Sequence, residues 1–224
     1  MTFDFKNLRI LSFSAHPDDE IGGAGGFLLA AKNGGALLKL SLVIDPSEER
    51  PDASANEEKN IRLTEFKKVA ELLSADSSYL GIARYPEVEL TNIFPLIKEI
   101  RDFKPDLVLT PSDEEYHPDH RVVAALAKEA IWHAGRSAFP TLGRPYKAKT
   151  LLMYEADKPM SQVGFLYDIS AVMEEKKKLI NLYESQTARK NLADAMEGLN
   201  RFRGIMYKGG EYAEAFKTQE FFYG

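Results

Sequence analysis

The 224-residue chain has no cysteine, which excludes disulfides and thiolate metal sites. It lacks any apolar run near the ~20 residues needed to span a bilayer, and its N-terminus, MTFDFKNLRI, does not have the pattern of a signal peptide. A cytoplasmic location with no membrane partner is the default expectation. Positive charge is not in excess either, since the formal net charge is −5. That gives no reason to expect a nucleic-acid partner. There are only four histidines, and three of them fall in two short motifs. What remains is ordinary for a globular protein: 44% hydrophobic and 28% charged residues. Its length suits a single domain over residues 1–224.

The first motif is SFSAHPDDEIGGAGG, Ser12 to Gly26, in which His16, Asp18, Asp19 and Glu20 crowd together. It follows the apolar run Leu8 to Phe13, read as a buried strand. Pro17 is expected to open a helix, with the acidic residues in its first turn. The second motif is His117-Pro118-Asp119-His120, behind the apolar run Asp106 to Thr110 and a short acidic loop. A single His-Pro-Asp reads as a capped helix start. Two of them, each after a strand and each with extra ligand-type residues, read as one site at the carboxyl edge of a parallel sheet, where open α/β folds place their ligands.

His16 and Asp19 are three positions apart and share a face if the turn is helical. With His120 they make two imidazoles and one carboxylate, a three-ligand set with an open position, as in catalytic zinc sites. Asp18 is then free to act as general base. His117 is suited, when protonated, to stabilising an oxyanion, and Asp119 to holding a ligand histidine from behind.

At these residues the chain resembles the LmbE-like, or PIG-L, family of zinc-dependent de-N-acetylases. The resemblance rests on AHPDDE at Ala15–Glu20 and HPDH at His117–His120. It continues through Arg62-Leu63-Thr64-Glu65, Leu80-Gly81, Asp168-Ile169-Ser170, Ser185-Gln186 and Tyr212 to Phe216. It implies zinc on His16, Asp19 and His120, with Asp18 as base and His117 as electrostatic helper, and it leaves Fe²⁺ open as another divalent metal. It also implies that Arg62 reaches the substrate, and that Glu87 stands where a sugar-binding aspartate is expected. Assembly into trimers or hexamers follows from the same resemblance. Where the family has a Thr-Arg-Gly-Glu-like turn, this chain has Ile44-Asp45-Pro46-Ser47-Glu48-Glu49, a departure at the place that shapes substrate choice.

The remaining segments alternate in type. Strands are expected at Leu38–Ile44, Tyr79–Ile82 and Thr150–Tyr154, with a short one at Asp168-Ile169. Helices are expected at Glu58–Leu73, Thr91–Phe103, Pro118–Ala134, Ala171–Ser185 and Leu192–Tyr207. The polar stretch Asp45–Lys59 and the Pro- and Gly-bearing Gly135–Lys149 read as loops, either pocket rim or subunit contact. The aromatic end, Phe216 to Tyr223, is expected to dock on the core or on a second subunit. The glycines after Glu20 do not spell the dinucleotide fingerprint and are expected to serve close packing. This alternation predicts a Rossmann-like, mostly parallel sheet with helices on both faces.

The expected activity is metal-dependent hydrolysis of an N-acetyl group on an amino sugar or N-acetylglucosaminyl conjugate. Two alternatives belong to other classes. His16-x-Asp18 with a distant histidine also matches a two-His-one-carboxylate non-haem iron site, and the scaffold could serve a catalytically degenerate binding protein.

Overall fold

The computed structural model describes residues 3–47, 54–207 and 210–223. Its seven-stranded sheet has the order β3-β2-β1-β4-β5-β7-β6. The first five run parallel: β1 (Arg9–Ser14), β2 (Leu37–Ile44), β3 (Asp76–Ile82), β4 (Leu107–Pro111) and β5 (Thr150–Tyr154). Parallel strands need crossovers that cover both faces of the sheet, and the central strands are correspondingly buried; every position of β4 is. The crossovers are α1 (Asp19–Asn33), α2 (Ser54–Leu72), α3 (Leu90–Phe103) and α4 (Pro118–Ala134). Two apolar cores result. Ile10, Phe27, Leu40 and Phe66 belong to one, and Leu11, Phe13, Ile97 and Ile131 to the other. Alternate residues of β1 thus face opposite cores.

The chain moves outward in one direction from β1 to β2 and β3, then returns to place β4 on the other side of β1. The crevice between the carboxyl ends of β1 and β4 is therefore the topological switch point of the sheet. Both His-Pro-Asp motifs open onto it.

The second half differs from expectation in several respects. The aromatic end is a strand, β7 (Ala213–Glu220), which runs antiparallel between β5 and β6 (Phe165–Asp168). Phe216 is wholly buried there, and the following Phe221 packs on the second core. The segment expected as one helix over Ala171–Ser185 is a 3₁₀ turn (Ser170–Val172), then α5 (Met173–Ile180), then α6 (Glu184–Thr187). Ser170 does not cap it; its Oγ donates to Asp168 and accepts from the backbone N–H groups of Glu211 and Tyr212. The helix α7 (Leu192–Met206) closes this face. In the first half, helix α2 begins at Ser54, inside the expected loop, and within it Ile61 is 53% exposed while Leu63 packs inward. Part of that loop, residues 48–53, lies outside the described residues.

The Gly135–Lys149 loop is held by Arg101 of α3, which is 3% exposed. Its guanidinium donates to the carbonyls of His133, Ala134, Arg136, Ala138, Phe139 and Gly143. Carbonyl dipoles thus solvate the buried cation. The loop lines no part of the cavity described below, so it is not pocket rim.

Candidate active site

The first motif leaves β1 and reverses at Asp18, whose φ is 110° and ψ is −28°. A non-glycine residue rarely adopts this conformation, at a cost of about 1–3 kcal/mol. The helix starts one residue later, at Asp19, so Pro17 precedes the helix and does not open it. The Asp18 carbonyl takes the first helix amides, from Ile21 at 3.1 Å and Gly22 at 2.8 Å. This reversal sends the two neighbouring carboxylates to different places. Asp19 turns onto the histidines, and Asp18 faces the cavity beside the Arg62 charge.

Glycine is required just beyond. A Cβ on Gly23 would lie 2.2 Å from the Tyr154 ring and 2.4 Å from the Glu155 carbonyl oxygen. The helix is then interrupted at Ala24 (φ −133°, ψ 15°). The N–H groups of Gly26 and Phe27 are taken up by the Glu214 carboxylate of β7, at 2.7 and 2.8 Å. Lys176 of α5 neutralises that buried carboxylate at 2.7 Å and also donates to Asn200 of α7. The glycine-rich turn therefore spends its amides on a carboxylate of its own chain.

Three histidine rings, His16, His117 and His120, cluster with ligand-type nitrogens within 4.8 Å of one another, a set that could hold a metal ion. The Asp19 carboxylate joins them, with Oδ1 3.3 Å from His120 Nε2 and Oδ2 3.8 Å from His16 Nδ1. His16 Nδ1 and His120 Nε2 are 3.2 Å apart. His16 donates from Nε2 to Asp119 Oδ2 at 2.9 Å, so its Nδ1 lone pair points at His120 and Asp19. His117 differs: its Nδ1 accepts the Asp119 backbone N–H at 3.2 Å, which leaves the proton of the neutral ring on Nε2. That ring is a hydrogen-bond donor as it stands, whereas His16 offers a lone pair. Burial, and then the charges of His16 and His120, lower the His117 pKa.

The electrostatics favour a cation between these groups. Burial works against a charge on His120, but Asp19 outweighs it and pushes the His120 pKa up to about 11. Burial also raises Asp19, yet the His120 charge and hydrogen bond bring its carboxyl well below the usual range. Asp18 is raised by burial and by the Asp19 charge, and held back by Arg62. Glu20 is completely buried, and burial pushes it up to about 7 although Tyr183 donates a hydrogen bond to it.

These side chains open into a cavity of about 210 Å³. His16, Asp18, Asp19, His117 and His120 line its floor, with Gly22 and Met196 beside them. Arg62 is there too, 7% exposed, with Nη1 donating to the Pro46 carbonyl. Glu87 is not: it is exposed and lies outside the lining. Its backbone carbonyl instead anchors the start of α3, accepting from Asn92 Nδ2. The arm that enters the cavity from this segment is Arg84.

Several lining or supporting residues carried no local signal. Asp157, Arg189 and Lys190 line the cavity from loops beyond β5 and α6. Glu115, in the short acidic loop after β4, is 2% exposed. Its carboxylate accepts the N–H groups of Ala156, Asp157 and Lys158 at 2.8, 3.2 and 3.1 Å, and approaches His120 Nδ1 at 3.7 Å. It fixes the loop after β5 against the motif after β4.

The comparisons with known proteins agree with this arrangement. Residues 11–131 match the PIG-L family, described as GlcNAc-PI de-N-acetylase. The chain is 30% identical over 195 residues, 80% of its length, to diacetylchitobiose deacetylase of Thermococcus kodakarensis, covering 70% of that protein. Its structure superposes on the conserved protein TT1542 from Thermus thermophilus with a TM-score of 0.83, at 26% identity and over 97% of both chains. N,N'-diacetylchitobiose deacetylase from Pyrococcus horikoshii, in complex with its inhibitor MPG, gives 0.81 at 25% identity, over 94% of this chain and 83% of that one. The paired histidine motifs, the switch-point crevice and the sequence match over more than half its length make the chain a member of the PIG-L family of deacetylases.

Proposed function

We propose that this deacetylase removes the N-acetyl group of an amino sugar or N-acetylglucosaminyl conjugate, with zinc held by His16, Asp19 and His120. The observation that carries the reading is the convergence of His16 Nδ1, His120 Nε2 and the Asp19 carboxylate. Two imidazoles and a carboxylate suit zinc and leave a position open. The iron-type alternative required Asp18 as the ligand; the carboxylate facing the histidines is that of Asp19. Fe²⁺ in the same three-residue set is a matter of metal supply, since the donor atoms suit either ion.

A neutral amide is a poor electrophile, and the metal, when bound, supplies Lewis acidity and makes water nucleophilic near neutral pH. The chain's own groups then handle the protons. Asp18 takes the proton of the attacking water as its oxygen bonds to the acetyl carbon. His117 donates from Nε2 to the oxyanion that forms. When the C–N bond breaks, Asp18 returns the proton to the leaving amine, so that acetate and a free amine are produced. Asp119 orients His16 through Nε2, the carboxylate–histidine arrangement common behind metal ligands.

The test measures bound zinc and acetate release from N-acetylated sugars before and after chelation. Activity that disappears with the metal and returns on adding zinc supports the reading. Full turnover in metal-free protein, or zinc-loaded protein inert on every acetylated amino sugar, refutes it.

A further inference from the structure

Most of the cavity wall is polar or charged, and the lining residues that are neither are Gly22, Ala156, Leu192 and Met196. These four lie together. Leu192 and Met196 are four positions apart on α7 and share a face of that helix. A Cβ on Gly22 would stand 3.8 Å from Met196 Sδ. Ala156 follows Glu155, against whose carbonyl Gly23 is packed. Ala156, Leu192 and Met196 all belong to the first apolar core, so the cavity meets the end of that core here.

Gly22 is the unusual member. It lies inside α1, where glycine is a poorer helix former than alanine. Its neighbours have packing reasons to be glycine: a Cβ would fall 2.2 Å from the Tyr154 ring at Gly23 and 2.5 Å from Ile169 at Gly26. Gly22 has no such reason. Its φ is not left-handed, and outside its own turn an added Cβ would meet only Met196, at ordinary contact distances of 3.8 and 3.9 Å. Gly22 also stands three residues after Asp19, on the same helical face and one turn from that carboxylate. Since Gly22 lines the cavity, its missing side chain is room kept for a ligand beside the reacting centre.

We propose that Gly22, Ala156, Leu192 and Met196 form an acyl pocket, and that the room over Gly22 admits N-acyl groups one or two carbons longer than acetyl. The proposal deepens the deacetylase reading and rests on it. An amino sugar presents hydroxyls to the charged walls, whereas the acyl tail is the apolar group attached to the reacting carbon and is favoured against an apolar wall. Met196 suits a wall that must adapt, because its unbranched thioether side chain fills irregular space. The reaction is the same hydrolysis. The oxygen of water bonds to the acyl carbon, the C–N bond breaks, Asp18 returns the proton to the amine, and the longer carboxylate leaves as product.

The experiment measures kcat/KM of the zinc-loaded protein on N-acetyl-, N-propionyl- and N-butyrylglucosamine, with the melting temperature as a second readout. The propionyl compound should be used within about tenfold of the acetyl one, or better. In Gly22→Ala the propionyl-to-acetyl ratio should fall by about tenfold or more, since one methylene in an apolar pocket is worth roughly 10–200-fold. The melting temperature of that variant should not fall, because alanine suits a helix better than glycine. Gly198→Ala, at an exposed position of α7 with nothing near its added Cβ, controls for helix propensity and should leave the ratio as it is. Met196→Ala should raise the butyryl-to-acetyl ratio by enlarging the pocket. A propionyl value more than about tenfold below the acetyl one, or an unchanged ratio in Gly22→Ala, overturns the acyl pocket and leaves the deacetylase reading standing. If no N-acyl amino sugar releases its acid, that reading fails, and calorimetric binding of acetate, propionate and butyrate decides the pocket: tighter binding of the longer acids, weakened in Gly22→Ala, supports it, and equal binding overturns it.

Discussion

Asp119, a completely buried side chain, accepts a hydrogen bond from His16 Nε2 at 2.9 Å. The bond fixes which His16 nitrogen keeps its lone pair, and so makes Nδ1 the atom available to a metal. Removing such a partner typically weakens metal binding ~10–100-fold. Asp119→Ala should do this while also releasing the Tyr85 turn. Zinc competition against a chromophoric chelator measures the first effect, and an unchanged affinity would show that the bond does not orient His16.

Asp18 and Asp19 are adjacent, yet the backbone reversal at Asp18 gives them separate surroundings. Asp18→Asn should keep zinc and lose turnover by ~10²–10⁴-fold, the range of general-base catalysis. Asp19→Asn should release the metal, because a neutral amide is a poorer ligand. Zinc content and acetate release are measured on both variants. Metal loss confined to Asp18→Asn would mean that the two roles are exchanged.

Lys176 and Glu214 form a pair with no solvent exposure on either side chain. Burial lowers the Lys176 pKa, and the Glu214 charge opposes that shift. Lys176→Met leaves the Glu214 carboxylate buried without a counter-charge, which costs ~3–5 kcal/mol in comparable pairs. For a chain of this size that lowers the melting temperature by roughly 10 °C. Lys176→Met with Glu214→Gln should regain part of the loss. A double variant no more stable than the single one would count against the uncompensated charge as the cause.

Tyr223 donates its hydroxyl proton toward the carbonyls of Ile131 and Ala148, at 2.9 and 2.8 Å. Burial pushes its pKa up to about 12, against ~10 in an unfolded chain. The folded state holds the proton more tightly, so the contribution is fully present below pH ~10 and is lost as pH rises toward about 12. Tyr223→Phe should lose ~1 kcal/mol at neutral pH and show a flatter decline in stability above pH ~10. Denaturant unfolding across that range measures both, and parallel alkaline declines in the two proteins would exclude Tyr223 as the titrating group.

Helix α4 begins and ends where its sequence predicts, at Pro118 and Ala134, because Pro118 and the apolar spacing act within one element. Each His-Pro-Asp motif likewise lies behind an apolar strand, so both motifs and their chemistry can be read locally. The antiparallel strand β7 could not be. Ala213–Glu220 carries a single aromatic, Phe216, among charges that read as a tail, and only a place between β5 and β6 makes it a strand with its first half buried. Tertiary context overrides β-propensity in this way because pairing partners, not the residues alone, stabilise a strand.

Glu87 and Arg84 show the same division within the site. Both lie in the short connection between β3 and α3, and the family resemblance points to Glu87, not Arg84, as the residue that meets the substrate. The left-handed Tyr85 between them, pinned by Asp119 from a motif farther along the chain, leaves Arg84 in the lining and Glu87 outside it. Each histidine motif and the α/β alternation are legible in the sequence, since each depends on residues close together in the chain. Which charges line the cavity is set only by the fold, because their positions depend on hydrogen bonds between residues far apart in sequence.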